Sequence, residues 1–245
     1  LATHVRVRHR DRVVEGILEG NVIRTGDGAT FSRAEATLLS PVTPSKIVCV
    51  GRNYAAHAKE LGNDIPTKPL LFFKPPSSVI ADGESIVYPQ QSKNVHYEGE
   101  LAVIVGRRAR NVSADRAMEI VRGYTICNDV TARDLQNADG QWARAKGFDT
   151  FCPLGPVWVD AADLDLSNVR VRTLLNGETK QDGNTRDFIF SLPFLIEYIT
   201  AAMTLEPGDV ISTGTPEGVG PMQVGDTVKV VVDGIGELTN RLVAP

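Results

Sequence analysis

The sequence predicts an α+β chain, mainly β, with a few helices and a small β-rich segment at its start. Two apolar runs, 100–105 and 124–130, lack the polar alternation of a surface strand and match strands covered on both faces. Helical periodicity is confined to short stretches. Strands and helices do not alternate as a parallel βαβ sheet requires, and no segment after residue 100 repeats the first hundred.

Residues 5–40 are short Val- and Ile-containing runs separated by Glu19-Gly20-Asn21 and Gly26-Asp27-Gly28, which are turn formers between hairpin strands. Pro41 and Pro44 then mark a linker, so 1–44 is expected to be a small N-terminal β-rich domain and 45–245 the main domain. In the latter, 46–50 reads as a strand, 53–61 as a helix ended by Gly62, and 68–76 as irregular and proline-bounded. Ser113 is placed to cap a helix whose apolar positions Ala117, Ile120 and Val121 follow 3.6-residue spacing, closed by Gly123. Further strands are expected at 156–159, 169–175 and 228–232, with Asn176-Gly177 as a hairpin turn, and a last helix at 192–203 capped by Ser191.

With 245 residues, 42% hydrophobic and 23% charged, the chain is long and apolar enough to bury its own core. A balance of 26 basic against 30 acidic residues, net −4, lacks the basic footprint of a nucleic-acid partner. The apolar runs fall far short of the ~20 residues that cross a bilayer, and residues 1–10 carry no signal-peptide apolar region, so a cytoplasmic location with no membrane partner is expected. Cys49, Cys127 and Cys152 form an odd set with no CxxC and read as small buried hydrophobes. Arg107-Arg108-Ala109-Arg110 reads as a solvated turn, and Trp142 and Trp158 as packing residues rather than a ligand cage.

The informative motif is Tyr97-Glu98-Gly99-Glu100-Leu101. On a strand, residues two apart share a face, so Glu98 and Glu100 project side by side. Most Glu-x-Glu pairs sit on solvated edges, but Glu100 runs directly into the buried-looking stretch, where an unpaired carboxylate costs several kcal/mol. Asp129 ends the other such stretch; it is either a cap for a helix through Arg133–Asn137 or a third member of the cluster. Together the three suggest an all-oxygen site for a hard divalent ion, Mg²⁺ first, with Mn²⁺ and Ca²⁺ as alternatives. His57 and Glu60 are neighbours on one helix face, either a surface pair or a general base with its orienting carboxylate. Lys146 stands in a Gly/Pro/aromatic stretch and, beside a metal, suits an anionic substrate.

These segments, in the order Gly51-Arg52-Asn53-Tyr54…His57…Glu60, Glu98-x-Glu100, Asn128-Asp129-Val130-Thr131-Ala132-Arg133-Asp134, Lys146-Gly147-Phe148-Asp149 and Gly214-Thr215-Pro216-Glu217-Gly218-Val219-Gly220, resemble the fumarylacetoacetate hydrolase superfamily from about residue 46 to the end. The resemblance implies mixed β-sheets forming a β-roll, and a homodimer. It implies metal ligands at Glu98, Glu100 and Asp129, a lid helix carrying the catalytic His57–Glu60 pair, a catalytic and substrate-contacting role for Lys146, and a substrate-contacting role for Arg133. Thr215 falls in the glycine-rich loop that closes over substrate in relatives. The expected activity is divalent-metal-dependent chemistry on a small anionic 2-oxo acid or dioate through a metal-bound enolate. Carbon–carbon cleavage, by acylpyruvate-type hydrolysis or oxaloacetate decarboxylation, is favoured. Isomerisation of a 2-hydroxyhepta-2,4-diene-1,7-dioate on the same site is the alternative, and a metal-stabilised acid-binding domain the non-enzymatic one.

Overall fold

The computed structural model describes residues 1–60, 62 and 64–245. Twelve strands form the largest sheet. Its centre is the antiparallel set Cys152–Asp160, Val121–Asn128 and Gly99–Val105, and Val210–Ser212 then pairs with the last of these and runs parallel to Ile47–Gly51. The N-terminal hairpins extend the same sheet, because Thr3–His9 pairs antiparallel with Cys152–Asp160. A five-stranded sheet lies against it, in the order Glu178–Asn184, Arg170–Leu175, Thr227–Val232, Gly236–Val243 and Ser85–Val87. A small third sheet pairs Val95–Tyr97 with Thr131–Ala132 and Gly220–Pro221. The chain is thus mainly β with mixed pairing.

Strand Gly99–Val105 explains its own lack of alternation. Leu101, Val103 and Val105 enter the core between the two larger sheets, with Val171, Val230 and Leu238, while Ala102 and Ile104 pack on the other face with Ile47, Cys49, Cys127 and Trp158. Both faces are covered, so apolar residues occupy every position from Leu101 to Val105. The hairpin at Asn176-Gly177 turns with both residues at positive φ, 53° and 85°, the geometry that favours Asn-Gly. All three cysteines are buried free thiols, as expected.

Several elements differ from expectation. The stretch around 68–76 contains strand Leu70–Lys74, paired antiparallel with Ile47–Gly51; Pro69 and Pro75 flank it instead of interrupting it, as prolines do at strand ends. The helix expected after Ser113 is a 3-10 segment, Ala114–Ile120, because Val121 already opens the strand Val121–Asn128 that contains Gly123. Ser113 makes no cap bond; the N–H of Ala114 donates instead to Glu197 Oε1 at 3.1 Å. Asp129 does not cap the following helix, Arg133–Asp139, whose cap position is Ala132. The helix Leu192–Ala202 is present and begins after Ser191, with no side-chain cap bond from that serine. The predicted helix after Asn53 spans Ala55–Glu60; Leu61, its expected last residue, lies outside the described residues.

Candidate active site

Glu98 links Val95–Tyr97 to Gly99–Val105, and Glu100 is the second residue of the latter strand, opposite Cys127. Gly99 between them is required by packing: a Cβ there would lie 2.1 Å from Thr173 Oγ1 on the second sheet. Asp129 follows strand Val121–Asn128, and two cross-strand bonds set its position relative to Glu98. The N–H of Asp129 donates to Glu98 O at 2.8 Å, and the N–H of Glu98 donates to Asn128 Oδ1 at 2.9 Å. Each of the three carboxylates is buried, and one oxygen from each lies within 4.8 Å of the others. They line a cleft of about 520 Å³ together with His57, Glu60, Arg133, Lys146 and Thr215.

Buried cations answer two of the three acids. Lys146 Nζ donates to Glu98 Oε2 at 2.8 Å and to Asp129 Oδ2 at 2.6 Å, and the guanidinium of Arg133 pairs with Glu98 Oε1. From behind, Lys74 Nζ donates to Asp129 Oδ1 at 2.6 Å and to Val130 O at 3.0 Å. Burial alone would raise Glu98, but Lys146 and Arg133 outweigh it and hold that carboxyl far below its ordinary range. Glu100 is different. Its Oε2 accepts from Ser212 Oγ at 2.5 Å and from the N–H of Gly214 at 2.9 Å, and among the described residues no donor reaches its Oε1. Burial, with the negative charge of Asp129 beside it, pushes Glu100 up to about 8. A third acid without a cation, clustered with two further buried carboxylates, is a donor set suited to a hard divalent ion, and the residues fit such an ion.

The remaining groups form the walls. His57 Nδ1 donates to Glu60 Oε2 at 3.1 Å, and the N–H of Gly218 donates to Glu60 Oε1 at 2.9 Å. Asn53, fully buried, fixes the start of this segment by donating to Thr213 O at 2.9 Å and accepting from the N–H of Phe190 at 2.8 Å. Thr215 lines the cleft, but its hydroxyl donates to Gly99 O at 2.9 Å and accepts from Gln181 Nε2 at 2.8 Å, so its one donor is already committed. The helix Ala143–Gly147 carries Lys146 over the ring of Phe72, 4.9 Å from its centroid.

Every site residue expected from sequence lies in this cleft. Of the two tryptophans, Trp158 is core as expected, whereas Trp142 lines the cleft, edge-on to Phe72 at 5.2 Å. Sequence reasoning missed four participants. Lys74 had a usable signal, a charged residue ending the apolar run Leu70-Leu71-Phe72-Phe73. Ser212 had none. His96, pushed down to about 4 by burial and by Arg133, also lines the cleft and gave no pattern of its own, and Arg52 lines it as a member of the Gly51-Arg52-Asn53-Tyr54 motif to which the resemblance attached no role.

The model of the fumarylacetoacetate hydrolase C-terminal domain matches residues 46–243. The chain belongs to the fumarylacetoacetate hydrolase family. As a member it is an enzyme of that family. It is 48% identical over 198 residues to an oxaloacetate tautomerase of Arabidopsis thaliana, covering 79% of this chain and 89% of that protein. An oxaloacetate decarboxylase of Dictyostelium discoideum is 45% identical over 198 residues, 79% of this chain and 91% of its own length. Among solved structures, a 5-carboxymethyl-2-hydroxymuconate delta-isomerase from Mycobacterium smegmatis superposes with a TM-score of 0.92 at 46% identity, covering 99% of each chain.

Proposed function

We propose that the chain is a divalent-metal-dependent enzyme, with Mg²⁺ as its ion, that acts on an oxaloacetate-type 2-oxo acid through enol chemistry. The observation that carries this reading is the convergence of three buried carboxylates in a cleft that also holds an imidazole oriented by a further acid, Glu60. Glu98, Glu100 and Asp129 would hold the ion, which supplies Lewis acidity toward the carboxylate and keto oxygens that a 2-oxo acid presents side by side.

The chain's own residues do the rest. Arg133 and Lys146 place positive charge where negative charge develops on the oxygen of the forming enol. The Nδ1–H of His57 is held by Glu60, which leaves Nε2 as the nitrogen that takes a proton from C3 or returns it there. In oxaloacetate decarboxylation the C3–C4 bond breaks, its electron pair enters the enol system, and His57 supplies the proton that C3 later accepts. In acylpyruvate hydrolysis the same Nε2 removes a proton from the attacking water. Phe72 and Trp142 restrict water around Lys146.

The oxaloacetate names of the two curated relatives support carbon–carbon cleavage or tautomerisation of a short dioate. Ketonisation of an unsaturated 2-hydroxy-dioate is the second reading, favoured by the name of the Mycobacterium smegmatis structure and requiring only proton transfer at His57. The family match beginning at residue 46 supports the division into 1–44 and 45–245, and a homodimer is the expected assembly. The test is a substrate panel of oxaloacetate, acylpyruvates and hydroxymuconate-type dioates, assayed with Mg²⁺ and with EDTA. Turnover of oxaloacetate that EDTA abolishes and Mg²⁺ restores is expected; full activity in EDTA overturns the reading.

A further inference from the structure

Among the cations of the cleft, Arg52 alone has no acidic partner among the described residues. Lys146 and Arg133 are paired with Glu98 and Asp129, whereas the guanidinium of Arg52 lines the cleft with its Nε buried and unbonded. It stands beside Trp142, with Cζ 6.0 Å from the ring centroid. Lys146 Nζ lies 6.0 Å from the same centroid, so the two cations are separated by at most twice that distance. The backbone adds a second observation. Arg52 joins strand Ile47–Gly51 to the His57 helix at φ 59°, a left-handed conformation that glycine or asparagine adopts at lower cost. Nothing in the turn itself requires an arginine there.

The charge of the site sets what the guanidinium would meet. Lys74, Lys146 and Arg133 match the three carboxylates one for one, so a divalent ion leaves two positive charges uncompensated. Arg52 adds a third and Glu60 subtracts one, leaving a cleft complementary to a dianion. We propose that Arg52 is the specificity-determining residue that binds the second carboxylate of a short 2-oxo dicarboxylate and so separates such substrates from 2-oxo acids with a neutral tail. This deepens the function proposed above and rests on it.

The test uses two unreactive probes of equal length, 2-oxoglutarate and 2-oxopentanoate, which differ only by a carboxylate in place of a terminal methyl. Their binding to the Mg²⁺-loaded full chain is measured by calorimetry. The wild type is expected to prefer the dianion by ~10- to 100-fold, the worth of one charge-assisted bond in a half-buried site. Arg52→Asn, compatible with the left-handed backbone, should keep the melting temperature and lose the preference. Arg52→Lys should keep part of it. Equal binding of both probes to the wild type, or a preference surviving in Arg52→Asn, overturns the proposal. If oxaloacetate is turned over in a metal-dependent way while the preference is absent, only the role of Arg52 falls. If no substrate of the panel is turned over, the functional reading falls first and takes this inference with it.

Discussion

Replacing Lys74 by methionine tests whether the acidic cluster is held by buried cations in the way the structure indicates. Lys74 and Asp129 are both fully buried and 2.6 Å apart, and burial alone would push the ammonium down, yet Asp129 keeps it above its ordinary value. Methionine keeps the stem and most of the volume and removes the charge. Asp129 is then left with Lys146 alone, and breaking one side of a buried pair typically costs about 3–5 kcal/mol. For a chain of this size each kcal/mol moves the melting temperature by roughly 2–4 °C, so Lys74→Met in EDTA should melt on the order of 6–20 °C below the wild type. On the metal site proposed above, Mg²⁺ would supply to Asp129 the positive charge the variant has lost, so the rise in melting temperature on adding Mg²⁺ should be larger in Lys74→Met than in the wild type. The assay is a thermal melt followed by circular dichroism, with EDTA and with Mg²⁺, for both proteins. A variant that melts within about 2 °C of the wild type in EDTA, or one that gains no more than the wild type from Mg²⁺, would refute the reasoning.

Other outcomes follow from the same geometry. His57→Ala should lower turnover by about 10²–10⁴-fold, the usual contribution of a general base, while calorimetric Mg²⁺ binding stays intact because His57 is not among the clustered carboxylates; normal turnover would remove the imidazole from the mechanism. The metal-free protein should lose stability as pH rises from 6.5 to 8.5. Glu100 has a folded value raised to about 8 from an ordinary 4.5, so the folded state binds the extra proton in that window, and the stability this gives is lost as pH climbs through the folded value. His96, lowered from 6.5 to about 4, opposes this only at the lower edge of the window, where the unfolded imidazole is still half protonated. Denaturant melts in EDTA at the two pH values measure the slope, and a flat or rising profile contradicts the environment assigned to Glu100.

Much of the site was legible because burial and charge conflict openly in the sequence. Glu98 and Glu100 stand at the mouth of an apolar run, and that conflict alone singles them out. Asp129 was ambiguous for a physical reason: an acid at the end of a strand caps a following helix as readily as it joins a cluster, and only the cross-strand bond to Glu98 O decides between them. Lys74 was hidden because flanking prolines made its strand resemble a loop. Ser212 and the N–H of Gly214 reach Glu100 across a strand pairing more than a hundred residues away in the chain, and no local pattern encodes such a contact. The 3-10 segment Ala114–Ile120 shows the same limit for the fold: its apolar spacing suits an α-helix, but the strand that must begin at Val121 shortens it.

Glu60 has two bonded oxygens that belong to different events. One orients the imidazole of His57, and the other accepts from the N–H of Gly218 in the glycine-rich loop. Losing the second bond would free the carboxylate that sets the first. On the function proposed above, readiness for proton transfer would be tied to enclosure: a cleft without the Gly218 bond would present an imidazole whose orienting carboxylate is free to turn away.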